Sequence, residues 1–328
     1  MRGYEGVRKD GVLVVGDINV DLIVKFPAIS PDGRVAYPDP ELTGGGTCGN
    51  TLMALAKLGV PTAFMGTVGD DAYGRMLVDE LRCAGVNTSA LIMDADLNTV
   101  CVFAFVDERG ERYLWGWPRE RQSFQYLDRI CWKSVENAGW IHSSGMLLTS
   151  DTSARRSVAE IFKRAKELGI PTSFDLNLRV DNGVLDEGYR RAVLDVLEWC
   201  DYALGSGPEE FYYLSEHDDW RECARSFARG DRTVIARMGA DGSVAMTPRA
   251  EYEEKPFDVP VTDTVGAGDV FNAGFIAARL QGRDLRDCLI WGNGVSGYKV
   301  SRKGGRATPT AEQLSEFIRG ASRRQCVK

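Results

Sequence analysis

The sequence predicts an α/β fold: a doubly wound, mostly parallel central sheet with helices on both faces, carrying a small antiparallel β lid. Three observations predict it. Residues 12–15 (Val-Leu-Val-Val) form an unbroken apolar run, the mark of a strand buried on both faces of a parallel sheet. Three junctions then repeat one pattern, a helix end, a glycine cap and a return to an apolar run, around Gly59, Gly85 and Gly169. Finally, residues 99–106 and 112–117 are strand-like runs joined by the polar stretch 107–111, a hairpin that interrupts the βα alternation.

The totals set limits on partners and compartment. The 328 residues suit one α/β domain over 1–328, with a lid inserted as two segments at about 22–43 and 98–118. A net charge of −7 argues against a general nucleic-acid or anionic-membrane binder. The apolar runs are too short to span a bilayer, and residues 1–10 are too polar for a signal peptide. Eight cysteines stand singly, which suits a reducing cytoplasm rather than a disulfide framework or a zinc site. With two histidines, a His-based triad or His-rich metal site is not expected.

In chain order, the first strand ends in Gly16-Asp17-Ile18-Asn19-Val20-Asp21, where open α/β sheets bind ligands. Residues 22–43 are too extended and proline-rich for a βα unit and read as an excursion. Gly44-Gly45-Gly46-Thr47-Cys48-Gly49-Asn50 opens a helix and matches G-x-G-x-x-G. The dinucleotide fingerprint, however, needs a strand directly before it, and residues 38–40 (Pro-Asp-Pro) stand there instead. Gly69-Asp70-Asp71 is an acidic turn. Residues 233–237 read as a strand and 238–242 as a turn.

The stretch that organises the rest is Asp263-Thr264-Val265-Gly266-Ala267-Gly268-Asp269. It is read as entered by a strand at 257–261 and followed by a helix that Gly282 stops. Glycines let the backbone turn sharply and aim bare N–H groups outward at the positive end of a helix dipole, a place for phosphate charge. An aspartate beside such a hole has work to do if it takes a proton from an attacking alcohol. Aspartate at a helix start is also an ordinary N-cap, so the seven residues together carry the signal.

That string resembles the signature of the ribokinase-like (PfkB-type) carbohydrate kinases, and the resemblance extends over nearly the whole chain. It implies Asp269 as catalytic base, with Gly266, Ala267 and Gly268 donating N–H groups to the transferring phosphoryl. Asn19, Asp21, Gly45, Gly46 and Asn50 would contact the sugar. Asp175-Leu176-Asn177-Leu178-Arg179 resembles a string of 2-keto-3-deoxygluconate kinases and fructokinases, with Arg179 placed for a carboxylate or for donor phosphates. Ser206, Glu209, Gly239, Gly242, Gly266, Gly268 and Asn293 would serve ATP. The resemblance also implies Mg²⁺ held through water by Glu209, and K⁺ held by Asp263, Val265, Arg302 and Gly304. One departure stands out: the family's Asn-x-x-Glu is replaced by Ser206-Gly207-Pro208-Glu209-Glu210, leaving either glutamate as the aligned one.

The expected activity is ATP-dependent phosphorylation of a primary hydroxyl of a sugar or sugar acid. One rival is a nucleoside kinase, with Phe103, Phe105, Trp115 and Trp117 lining a nucleobase slot. Another is a sugar-binding regulator without turnover. Exposed apolar lid strands would pair two copies into a homodimer.

Overall fold

The computed structural model describes residues 11–29, 32–107, 112–116, 118 and 121–321. The strands are β1 (Val12–Val15), β2 (Asn19–Lys25), β3 (Ala28–Ile29), β4 (Val35–Ala36), β5 (Glu41–Gly45), β6 (Thr62–Gly69), β7 (Asn87–Asp94), β8 (Cys101–Val106), β9 (Arg112–Trp115), β10 (Trp140–Ser144), β11 (Thr172–Asp175), β12 (Tyr202–Ser206), β13 (Thr233–Arg237), β14 (Ser243–Met246) and β15 (Glu251–Glu254). The helices are α1 (Thr47–Lys57), α2 (Ala72–Cys83), α3 (Trp132–Glu136), α4 (Ser153–Leu168), α5 (Glu187–Trp199), α6 (Gly207–Glu210), α7 (Trp220–Phe227), α8 (Ala267–Leu280), α9 (Leu285–Val300) and α10 (Ala311–Gly320).

The main sheet runs β15-β14-β13-β12-β11-β10-β1-β6-β7. Pairing is parallel from β13 across to β7 and antiparallel only at β14 and β15. The pleat explains why β1 is apolar throughout. Leu13 and Val15 pack into the layer built on α4, α5 and α7, whereas Val12 and Val14 pack into the layer of α1, α2, α8 and α9. The same split sorts β13, with Val234 and Ala236 on one side and Ile235 on the other. Gly59, Gly85 and Gly169 all take the left-handed backbone (φ 81°, 79° and 66°), as the helix-end reading requires.

A second sheet, β5-β2-β8-β9, stands over the carboxyl ends of the main strands. It is antiparallel at β2–β5 and β8–β9 and parallel at β2–β8. β2 follows the inner strand β1 and β8 the edge strand β7; both excursions leave the carboxyl ends of parallel strands, and β2 and β8 run the same way. Residues 108–111 of the expected hairpin turn and Trp117 lie outside the described residues.

One expected element is absent. Residues 257–261 are irregular rather than a strand, because Pro256 and Pro260 lack the N–H groups a ladder needs. The strand before the organising turn is β15, antiparallel in the sheet. The acidic turn at 70–71 is structural: Asp71 caps α2 by accepting the Gly74 N–H at 2.8 Å.

Candidate active site

Two cavities meet at the start of α8. One, of about 540 Å³, lies beneath the small sheet and is lined by Asn19, Asp21, Gly46, Asn50, Arg179, Asp263, Val265, Gly266, Asp269 and Gly304. The other, of about 640 Å³, is lined by Arg179, Ser206, Glu209, Glu210, Arg237, Gly239, Gly242, Ala267, Gly268 and Asn293. Of the residues expected at the sugar, Asn19, Asp21, Gly46 and Asn50 line the first cavity and Gly45 lines neither; of those expected at ATP, Ser206, Glu209, Gly239, Gly242, Gly268 and Asn293 line the second, and Gly266 lines the first. Arg179 belongs to both, and residues 266–269 form the wall between them.

The two helix starts at this site differ in one respect. At α1, Gly46 (φ 94°) turns the chain, and the Asp17 carboxylate accepts the N–H groups of Thr47 (2.6 Å) and Cys48 (3.1 Å). Those donors are spent, which closes the glycine-rich turn to a pyrophosphate and disposes of the dinucleotide reading. At α8, Gly266 (φ 76°) makes the turn and no side chain caps the helix. An uncapped helix start presents N–H groups and the positive end of the dipole to whatever lies in front. Ala267 is a correction: its N–H is donated to the Thr264 carbonyl at 3.1 Å, closing the turn, and is not open to a ligand.

Asp269 sits in the first turn of α8, 8% exposed at the floor of the first cavity. Its Oδ2 accepts the Asn50 Nδ2–H at 2.8 Å, and its backbone carbonyl accepts the Thr51 hydroxyl at 2.9 Å. Asn50, expected on the sugar, thus spends one donor on the carboxylate. Burial pushes the Asp269 carboxyl up to about 7; the Asn50 hydrogen bond opposes this, and the charges of Asp175 and Asp17 reinforce it. Asn19 donates to Asp21 Oδ1 at 2.6 Å, and the Gly45 backbone crowds the same carboxylate. A Cβ on Gly45 would stand 2.3 Å from Asp21 Oδ2, so a larger residue there would have to displace that carboxylate.

Behind the turn at 266–269 lies a network the sequence reading missed. Arg237, at the end of β13, holds Asp175 through two nitrogens (2.7 and 3.1 Å), Asn272 Oδ1 (2.7 Å) and the Gly268 carbonyl (3.2 Å). Asn272 returns a hydrogen bond to Asp175 at 2.7 Å. Burial works against the Asp175 charge, but the Arg237 guanidinium holds its carboxyl below the usual range. Glu210 stands 3.8 Å from Arg237 and accepts the N–H groups of Leu178 (2.6 Å) and Ser206 (2.5 Å). Burial pushes Glu210 up to about 7, with Asp175 reinforcing and Arg237 opposing. The only sequence signal for the network was the Asp175-Leu176-Asn177-Leu178-Arg179 string, in which Arg179 drew attention and Asp175 did not.

The departure at residues 206–210 resolves into two roles. Glu210 is folded inward and bonded at both oxygens, while Glu209 is exposed at the second cavity, its carboxylate meeting the Ser206 hydroxyl at 3.2 Å. Asn293 donates to the carbonyls of Glu254 (3.1 Å) and Lys255 (3.4 Å), steadying the cavity wall. Arg302 lies apart from both cavities; its guanidinium folds over Tyr298 and donates to the Tyr298 carbonyl at 2.8 Å. His142 is a core residue 2.8 Å from Ser173 Oγ, pushed down to about 4 by burial and so neutral.

Among the described residues, the aromatics Phe103, Phe105 and Trp115 do not form a base slot. On β8, Val102 and Ala104 face the cavity, so Phe103 and Phe105 point to the other side, where Phe103 packs on Trp115.

Known proteins match most of this chain. A model described as pfkB family carbohydrate kinase matches residues 9–312. The ATP-dependent ribose-1-phosphate kinase of Halopiger xanaduensis is 31% identical over 309 residues, covering 94% of this chain and 97% of that protein. The 2-dehydro-3-deoxygluconokinase of Thermoproteus tenax is 27% identical over 304 residues, covering 90% and 92%. The structure of a Xylella fastidiosa fructokinase with bound ATP has the same fold, with a TM-score of 0.80 at 23% identity over 95% of this chain and 98% of that one. By the extent of the family match and the identity to its relatives, the chain belongs to the pfkB family of carbohydrate kinases.

Proposed function

We propose that this kinase transfers the γ-phosphoryl of ATP to a primary hydroxyl of a sugar that carries an acid group. The carrying observation is the wall between the cavities: Asp269 faces one chamber while Gly268 of the same helix turn faces the other. A hydroxyl in the first chamber would lie beside a carboxylate able to take its proton, and a phosphoryl from the second would meet uncapped N–H groups. In-line transfer needs little more than positioning and charge stabilisation. The body and the small sheet would act as one catalytic unit, the sheet excluding water from the sugar.

Among the described residues no group of His, Cys, Asp and Glu could cage a metal ion. Mg²⁺ suits such a site, because it keeps most of its waters and is held by one carboxylate plus donor phosphates. Glu209, exposed at the second cavity, would serve as that carboxylate, and bound Mg²⁺ would neutralise charge on the phosphates. A neutral, deprotonation-ready Asp269 predicts the pH profile. With its carboxyl at about 7, kcat/KM should rise nearly tenfold per unit below that pH and level off above it. A profile flat from pH 5 to 8 would remove Asp269 as the titrating base.

Arg179 supports the acid group. Among the described residues its guanidinium hydrogen-bonds only to the carbonyls of Asn177 and Leu178, each at 3.4 Å, and it lines the sugar chamber. A planar fork so placed matches a carboxylate or phosphate, and the two relatives above are named for anionic sugars. Arg179→Met should raise KM for an acidic sugar about 10- to 100-fold, the worth of a charged hydrogen bond, and leave a neutral ketose unchanged. Equal effects on both would show that Arg179 serves ATP instead. If a sugar raises the melting temperature but no ADP appears with any sugar or sugar acid, the regulator reading takes over.

The lid's outward face, with Tyr113 57% and Trp115 62% exposed, is the proposed seat of a second copy. Light scattering should give twice the monomer mass, reverting on Trp115→Glu. The buried free thiols of Cys48, Cys200 and Cys223 fit a cytoplasmic setting.

A further inference from the structure

The turn that opens α8 is moored to the far end of α9. Thr262 and Asp263 both donate N–H groups to the Val300 carbonyl, at 2.7 and 3.1 Å. The Asp263 carboxylate in turn accepts the N–H groups of Val265 and Gly304, each at 3.0 Å. Into the middle of this knot reaches Lys299, from the last turn of α9. Its side chain has no exposed surface, and its ammonium donates to the Asp263 carbonyl at 2.7 Å and stands 3.5 Å from Asp263 Oδ1.

A lysine so deeply buried is rare and is tolerated only when its charge is matched. It also bears on the K⁺ that the family resemblance placed here, on oxygens of Asp263, Val265, Arg302 and Gly304. The Asp263 carbonyl, one of that donor set, already holds a cation that belongs to the chain. A second cation on the same oxygen would lie a few ångströms from the buried ammonium, where like charges repel. The residues present therefore do not fit a bound K⁺.

The geometry points to Lys299 as a built-in replacement for the monovalent cation. Its ammonium supplies the positive charge and the oxygen-directed contact that fix the 263–266 turn, and the kinase needs no K⁺. The inference rests on the reading of that turn as the anion hole. Because Lys299 touches the turn and no substrate, it is a positioning residue.

The test has an arm that needs no turnover. Wild-type protein is melted, and its ADP release measured, in K⁺, Na⁺ and tetramethylammonium chloride at equal ionic strength. Both readouts should agree within about 1 °C and twofold, whereas a K⁺-specific gain of several degrees or tenfold in rate would overturn the inference. Lys299→Ala opens room for an ion, and Lys299→Met keeps the length without the charge. The alanine variant should lose about 10²-fold in kcat and several degrees in Tm in tetramethylammonium, and recover both with K⁺ or NH₄⁺. The methionine variant should recover neither. An alanine variant indifferent to K⁺, or as active as wild type without it, would refute the replacement. Should the alanine variant fail to fold, the wild-type arm decides alone. If no sugar is turned over yet only the alanine variant gains Tm from K⁺, the inference stands and the kinase chemistry above falls.

Discussion

Asp269→Asn should lower kcat by about 10²–10⁴-fold, the usual contribution of a positioned general base, while leaving sugar affinity within a few-fold. The amide keeps the size of the carboxyl and can still accept the Asn50 hydrogen bond that now reaches Oδ2 at 2.8 Å, so only the ability to take a proton is lost. Stability should move the other way. The Asp269 carboxyl is raised from 3.8 to about 7 by burial, so its contribution is full below pH 3.8 and is lost as pH rises through about 7. Against the neutral variant, wild type should therefore fall behind between those two values, by on the order of 1–3 kcal/mol, and keep a constant deficit above. Thermal melts of the pair from pH 4 to 9, beside steady-state kinetics, check both parts. A variant retaining more than a tenth of wild-type kcat would exclude Asp269 as the base.

Arg237→Met should produce the largest loss of stability, about 3–5 kcal/mol, because it strands the fully buried carboxylate of Asp175. That corresponds to a fall of roughly 5–15 °C in Tm. The damage should reach catalysis, since Arg237 also grips the carbonyl of Gly268 at 3.2 Å. The companion variant carrying both Arg237→Met and Asp175→Leu removes the stranded charge, and should regain part of the stability without regaining activity. Denaturant melts of the single and double variants decide the matter. A single variant that loses less than about 1 kcal/mol would show that the pair is no stronger than a surface ion pair.

Much of this molecule was legible because short-range chemistry is written in adjacent residues. Val12 to Val15 declared a doubly covered strand, since a parallel sheet with helices on both faces leaves no polar side for alternation. Gly59, Gly85 and Gly169 declared helix ends, because a left-handed residue there is nearly always glycine. The Gly266-Ala267-Gly268-Asp269 turn declared an open helix start with an acid inside it.

The failures share a cause. The strand expected at 257–261 rested on apolar composition and overlooked two prolines that forbid a ladder. Phe103 and Phe105 lie on the face away from the cavity, because strand alternation gives the pattern but not which side meets the cavity. Ala267 lost its N–H to a turn bond that depends on the backbone's path at Gly266.

By itself, then, the sequence determined the sheet, the helix ends, the open helix start and the acid beside it. Each rests on backbone preferences that act within a few residues. Only the tertiary structure decided what those groups meet: Asn50 against Asp269 across 219 residues, Arg237 against Asp175 across 62, and Lys299 against Asp263 across 36. Burial and partners of that kind set the charge of Asp269 and the shape of its turn, and they exist only once distant segments share one low-dielectric interior.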